Sequence, residues 1–191
     1  VLILNNPSNP TGAVYPRELL YEVAKVCAEE GIYILSDEIY DRFLYDGAQH
    51  VSTASLSEEI KDVTITINGL SKTYAMPGWR VGYAAADQQI IKAMNTIQGQ
   101  CVSHTSSVSQ YAAITALRAQ QEFVGEMLHQ YTLRRAYVKS ELDNISGLSY
   151  IDPKGAFYFF LDVSGFYGKC YNGKLIENSL AFAQTLLEEF C

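Results

Sequence analysis

Asn68-Gly-Leu-Ser-Lys-Thr-Tyr-Ala-Met-Pro-Gly-Trp-Arg-Val-Gly82 carries one lysine, Lys72, among small and apolar residues. The β-rich run Val63-Thr-Ile-Thr-Ile67 leads into it, and Arg80 follows the lysine within the same stretch. Such a setting suits amine chemistry. An apolar pocket disfavours the ammonium and frees a lone pair for attack on a carbonyl. Lys72 is one of eight lysines, and most lysines are solvated surface charges, so the stretch has to be read with what surrounds it.

Upstream, Val1-Leu-Ile-Leu4 reads as a buried strand. It stops at Asn5-Asn-Pro-Ser-Asn-Pro-Thr-Gly12, where two prolines and a glycine enforce a loop. Pro16 then opens a helix from Arg17 to Glu30, with Leu19, Leu20, Val23, Ala24 and Cys27 on its apolar face and Gly31 ending it. Ile32–Leu35 reads as a strand apolar on both faces, as in a covered parallel sheet, and runs into Ser36-Asp-Glu-Ile-Tyr40. Residues 41–62 read as loop and short helix, Val63–Ile67 as a third strand and Val81–Ala86 as a fourth. Asn9, Asp37 and Lys72 each lie just past the end of a different strand. If those strands are parallel neighbours, the three converge in the crevice where open α/β sheets bind ligands.

Downstream, Asp87 caps a helix to about Gln98. Ser103–Ser109 reads as a polar loop before a helix over Gln110–Ala119. A long helix follows from Glu122 to Asn144, with Arg134, Arg135 and Lys139 expected on a solvated face. Gly147 and Pro153 mark a boundary, Gly155–Asp162 reads as an aromatic strand, and a last helix starts near Glu177.

The formal charge is 14 − 21 = −7, with no basic cluster, which argues against nucleic acid as a partner. The apolar runs are too short to span a membrane. Nothing at the N-terminus reads as a signal peptide, and the chain opens inside a strand, so a longer polypeptide is expected. Cys27, Cys101, Cys170 and Cys191 show no paired spacing and read as reduced thiols of a cytoplasmic protein. The three histidines have no ligand spacing, so no metal site is expected.

Asn5-Asn-Pro-Ser-Asn-Pro-Thr-Gly12, Ser36-Asp-Glu-Ile-Tyr40, Ser71-Lys72 and Gly78-Trp-Arg80 stand in the order and at roughly the distances seen in fold-type I enzymes that use pyridoxal 5'-phosphate (PLP). Across nearly its whole length the chain resembles a class I aminotransferase of the aspartate/aromatic/alanine kind. The resemblance implies an α/β chain of two parts. Residues 1–144 would be the C-terminal portion of a mainly parallel-sheet, PLP-binding large domain, including a long linking helix. Residues 145–191 would be an incomplete small α+β domain. It also implies transamination between an L-amino acid and a 2-oxo acid by a homodimer.

In that family Lys72 would carry the Schiff base and then act as general base. Asp37 would keep the cofactor's ring nitrogen protonated, with Glu38 its neighbouring rival. Tyr40 and Asn9 would bond the phenolic oxygen, and Arg80 the phosphate. Ser71 would add a hydroxyl. Trp79 and Val81 beside Arg80 suggest that it is semi-buried.

The chain departs from the family where serine often stands three residues before the lysine; here it is Gly69. The family's glycine-rich phosphate loop and ring-stacking aromatic would precede Val1, and its arginine for the substrate α-carboxylate would follow Cys191. Two other readings keep the same residues: a PLP-dependent β-lyase, which releases pyruvate and ammonia without a 2-oxo acid, and a non-catalytic PLP-binding or interaction domain.

Overall fold

The computed structural model describes residues 1–190. Its frame is a four-stranded sheet of β1 (Leu2–Asn5), β2 (Ile34–Asp37), β3 (Thr64–Gly69) and β4 (Gly82–Ala85), in that spatial order. The first three strands are parallel, and β4 runs antiparallel to β3. The registers pair Asn5 with Asp37 and Asp37 with Ile67, so the three parallel strands finish side by side.

The helix α1 (Arg17–Glu29) supplies the crossover from β1 to β2. Leu20, Ala24 and Cys27, spaced by four and three, are buried against Leu4, Ile34, Leu56 and Ile60. Leu19 and Val23, expected on that face, lie outside it and are exposed. Gly31 ends the helix at φ 64°. The short helix α2 (Glu58–Asp62), capped by the Ser57 hydroxyl, closes the same core.

β2 begins two residues later than its apolar run suggests and includes Ser36 and Asp37. It is not covered equally on both faces: Ile34 and Ser36 are buried, while Leu35 and Asp37 are half-buried. Alternation along the strand therefore turns Asp37 and the buried Glu38 to opposite sides.

After β4, the Asp87 carboxylate caps α3 (Gln88–Cys101) by accepting from the Gln89 N–H. The helix α4 (Ser107–Arg118) starts inside the expected polar loop, and α5 (Glu122–Leu142) is the long helix. Along α5, Met127 and Tyr131 pack on a second core of Tyr40, Phe43, Ala156, Phe157 and Tyr158. Arg135, one turn further, is not on a solvated face. Its Nε donates to the Pro153 carbonyl at 2.8 Å, and its Nη2 reaches Asp46 at 2.8 Å and Asp152 at 2.9 Å. Neighbouring helical residues differ by about 100° in direction, so Arg134 stays exposed. Lys139 pairs with Asp152 at 3.0 Å.

The aromatic run after α5 also differs from the strand expected of it. Only Leu161–Asp162 (β6) pairs, with Ser149–Tyr150 (β5), apart from a single bridge between Leu44 and Gly155. Ala156 sits at φ 57°, which breaks the extended run. Residues 156–158 are used for packing on Tyr40 and Phe43 instead of pairing. The small hairpin of β7 (Cys170–Tyr171) and β8 (Lys174–Leu175) and the helix α6 (Ser179–Phe190) complete the description. Cys27 is buried and Cys101 and Cys170 are exposed, all as free thiols; Cys191 lies outside the described residues.

Candidate active site

The C-terminal ends of β1, β2 and β3 are followed by Asn9, Asp37 and Lys72 respectively, with Asp37 itself the last residue of its strand. Asn5, at the end of β1, ties the first two together. Its Oδ1 accepts from the Asn9 backbone N–H at 2.5 Å, and its Nδ2 donates to the Asp37 carbonyl at 3.2 Å. Asp37 Oδ1 accepts from the Ile39 N–H at 3.1 Å. Its other carboxylate oxygen has no protein partner among the described residues.

The two adjacent carboxylates have different surroundings. It is buried and turned into the protein. Oε1 accepts from Ser36 Oγ at 2.9 Å, Ser52 Oγ at 3.0 Å and the Thr53 N–H at 3.1 Å; Oε2 lies 3.1 Å from His50 Nε2. Burial pushes its carboxyl upward. The bond and charge of His50 and the hydroxyls of Ser36 and Ser52 outweigh that and hold it below its ordinary value. With its acceptors occupied, Glu38 has a structural place, and Asp37 is the carboxylate left open.

Lys72 lies in a tight turn after β3, where Tyr74 N–H and Met76 N–H both return to the Leu70 carbonyl and Ala75 N–H bonds the Lys72 carbonyl. Its Nζ sits 5.7 Å from the Tyr40 ring centre and 5.4 Å from that of Phe157. Two aromatic faces thus flank the amine, and no carboxylate among the described residues pairs with it.

Tyr40 is buried, with its hydroxyl 2.5 Å from that of Tyr158. Burial above all, with the charge of Asp37 adding to it, pushes Tyr40 well above the ordinary phenol value, so it keeps its proton.

Ser71 is half-buried beside Lys72. Arg80 lies on the same β3–β4 connection, at φ 51°, and is exposed, not semi-buried. Its Nη1 donates to the Pro77 carbonyl at 2.9 Å, which leaves the rest of the guanidinium without a protein partner among the described residues. Gly69 is held tightly: a Cβ there would meet Gly82 Cα and Ile39 Cδ1 at 3.2 Å. A serine hydroxyl at that position would need the two strands to shift apart.

Lys72, Tyr40 and Asp37 are brought together, Asn9 is linked through Asn5, and Ser71 and Arg80 share the lysine's connection without touching the others. Sequence reading passed over Phe157 and Tyr158, hidden in a run of aromatics that looked like an ordinary strand. It also passed over the pairing of His50 with Glu38, residues that local spacing does not connect. No group of His, Cys, Asp and Glu among the described residues could hold a metal ion. No described helix is long and apolar enough to cross a membrane.

Residues 1–191 match the profile of the family described as "Aminotransferase class I and II". The chain is 47% identical over 163 residues to an aspartate aminotransferase of Bacillus sp. (strain YM-2), covering 85% of this chain and 42% of that protein. It is 42% identical over 167 residues to a probable aspartate/prephenate aminotransferase of Aquifex aeolicus, covering 86% and 42%. The solved aspartate aminotransferase of Rhizobium meliloti superposes with a TM-score of 0.93 at 40% identity, over 98% of this chain and 47% of that one. The chain therefore spans less than half the length of these relatives. With the profile matched from end to end and the fold shared with a solved member, the chain belongs to the class I and II aminotransferases, a family of PLP-dependent enzymes.

Proposed function

We propose that the full-length protein transfers an amino group from an L-amino acid to a 2-oxo acid, with PLP as cofactor and Lys72 as the residue that holds it. The observation that carries this reading is Lys72 Nζ between the Tyr40 and Phe157 rings, past the ends of three parallel strands and with no carboxylate partner among the described residues. The donor set fits such a cofactor: an amine, a carboxylate with one open oxygen, a protonated phenol, an amide and a largely unpaired guanidinium. When bound, the cofactor supplies an electron sink for the substrate's α-carbon.

The residues would divide the work by their chemistry. Lys72 Nζ would hold the cofactor by its carbonyl group, and its free amine would serve as the base that takes and returns a proton at the substrate's α-carbon. Asp37, whose second carboxylate oxygen has no protein partner among the described residues, would be the carboxylate for the ring nitrogen. Tyr40 would donate to the ring's phenolic oxygen, and Asn9 would orient the same edge. Arg80 would bind the phosphate with the guanidinium nitrogens that Pro77 does not use, and Ser71 would add a hydroxyl. Phe157 and the buried Tyr40 ring exclude water from one side of the amine.

We further propose that the protein is a cytoplasmic homodimer, and that residues 1–144 belong to its cofactor-binding domain and 145–191 to a smaller one. Relatives named aspartate aminotransferases make L-aspartate the first amino donor to try, with a 2-oxo acid as acceptor.

Borohydride reduction of the full-length protein with PLP, followed by peptide mass mapping, tests the lysine assignment. The cofactor-sized increment is expected on the Lys72 peptide, and Lys72→Ala is expected to lose both the increment and transamination. Turnover at the unsubstituted rate in Lys72→Ala would sink the assignment.

A further inference from the structure

We propose that Tyr158 is a positioning residue that acts through Tyr40: its hydroxyl donates to the Tyr40 oxygen and so strengthens Tyr40 as a donor to the cofactor. This rests on the reading of Tyr40 given above. The two hydroxyls lie 2.5 Å apart across 118 positions of sequence, and their rings meet edge-on at 5.7 Å. In the run Phe157-Tyr-Phe-Phe160, position 158 alone carries a hydroxyl. Packing against Tyr40 and Phe157 would be served equally well by a fourth phenylalanine, so packing does not account for it.

Proton counting gives the direction. The pair has two hydroxyl protons, and one of them occupies the bond between the oxygens. If Tyr40 donated to Tyr158, Tyr40 would have no proton left for the cofactor. If Tyr158 donates to Tyr40, the Tyr40 proton is released towards an outside acceptor, and an ionised ring oxygen is the acceptor that the site is suited to receive. Neither hydroxyl has another protein partner among the described residues, and Tyr40 is only 2% exposed, so bulk water does not compete. Two O–H donors in series polarise each other, which makes the terminal donor stronger. The bond also couples the segment after α5 to the cofactor's ring.

The sign of the effect follows. The phenolic oxygen attracts the proton on the lysine nitrogen bound beside it. A stronger donor at that oxygen weakens the attraction, and a weaker donor lets the proton persist to higher pH.

The test is a spectrophotometric pH titration of the PLP-loaded, full-length protein, following the pH midpoint of the cofactor's colour change. Tyr158→Phe keeps the ring and is expected to raise the midpoint by about 0.5 pH unit, a fraction of one hydrogen bond. Tyr40→Phe is expected to raise it further. Adding Tyr158→Phe to Tyr40→Phe is expected to change nothing more, as for two residues acting in one line. An unmoved midpoint in Tyr158→Phe, with cofactor bound, overturns the relay and leaves the reading of Tyr40 intact. An equal shift in the Tyr40→Phe background also overturns it, because Tyr158 would then act without Tyr40. Failure of the unsubstituted protein to bind PLP overturns both.

Discussion

At the residue scale, Glu38 shows how a site is set by the group next to it. Asp37 and Glu38 are adjacent carboxylates, and the strand's alternation sends them to opposite sides. Glu38 takes up donors from Ser36, Ser52, Thr53 and His50, which anchors the end of β2 and leaves Asp37 facing the crevice. Glu38→Gln keeps the shape but loses the charge and places an amide against hydrogen-bond donors. In the full-length protein it is expected to lower stability at about pH 7 by roughly 2–3 kcal/mol, the range for charged hydrogen bonds left incompletely made. The pH dependence has a definite sign. The Glu38 carboxyl is lower in the folded protein than its ordinary value of 4.5. Its contribution is therefore full above that value and is lost as pH falls through the folded one. Urea unfolding followed by circular dichroism should show the gap between the two proteins closing between about pH 5 and the acid limb. A gap independent of pH would mean that the charge of Glu38 contributes nothing. That Asn9, Asp37 and Lys72 follow three strand ends was legible because each sits in a short motif after an apolar run. The Glu38–His50 pair was not, because it joins residues across a loop whose path no local pattern fixes.

At the element scale, the loop carrying Asn9 and the segment carrying Tyr158 cross at two glycines. The Gly12 carbonyl accepts from both the Lys154 and Gly155 N–H groups, at 2.8 and 2.9 Å. A Cβ on Gly12 would fall 2.3 Å from Pro153 Cβ, and one on Gly155 would fall 2.6 Å from Pro7 Cβ. Gly12 is also at φ 70°, where a side chain is strained in any case. Gly12→Ala is expected to cost about 3 kcal/mol, strain and overpacking together. Gly31→Ala provides the control: φ is 64°, but nothing lies within 4 Å of the added carbon, so only the strain of about 1 kcal/mol should appear. Equal urea midpoints for the two variants would show that the crossing tolerates an extra carbon. The elements themselves were largely legible. The parallel order of β1, β2 and β3 follows from strands separated by a helix or a long crossing, and α5 follows from its length. The errors arose where tertiary packing overrode local pattern. Residues 156–158 look like a strand but turn at Ala156 to fill the space around Tyr40 and Phe43. Arg135 looks solvated, yet Asp46 and Asp152, from two other parts of the chain, enclose it.

At the scale of the whole molecule, the accessible surface is the informative quantity. A compact monomer of 21.3 kDa should expose roughly 9,100 Å². This chain exposes 12116 Å². The excess of roughly 3,000 Å² is well above the roughly 800 Å² that one partner gives up at a standard interface. Exposed apolar residues are spread over the chain and include Val102, Val108 and Tyr111, each about two-thirds exposed or more, around the end of α3 and on α4; α3 buries no residue. Apolar surface exposed on that scale marks faces meant to be covered. Residues 1–191 prepared as a separate polypeptide are therefore expected to self-associate and to bind an apolar dye, whereas the full-length protein should sediment as a discrete dimer. The net charge of −7 opposes association between copies. Raising salt from about 50 to about 300 mM shortens the reach of that repulsion. Sedimentation of the separate polypeptide should then shift to larger species with added salt, while the full-length dimer should not change. A polypeptide of residues 1–191 that stays monomeric and dye-free at both salt concentrations would show that its open faces need no cover. In that case the dimer proposal would lose its physical support, because the extra surface would be tolerated in water as it stands.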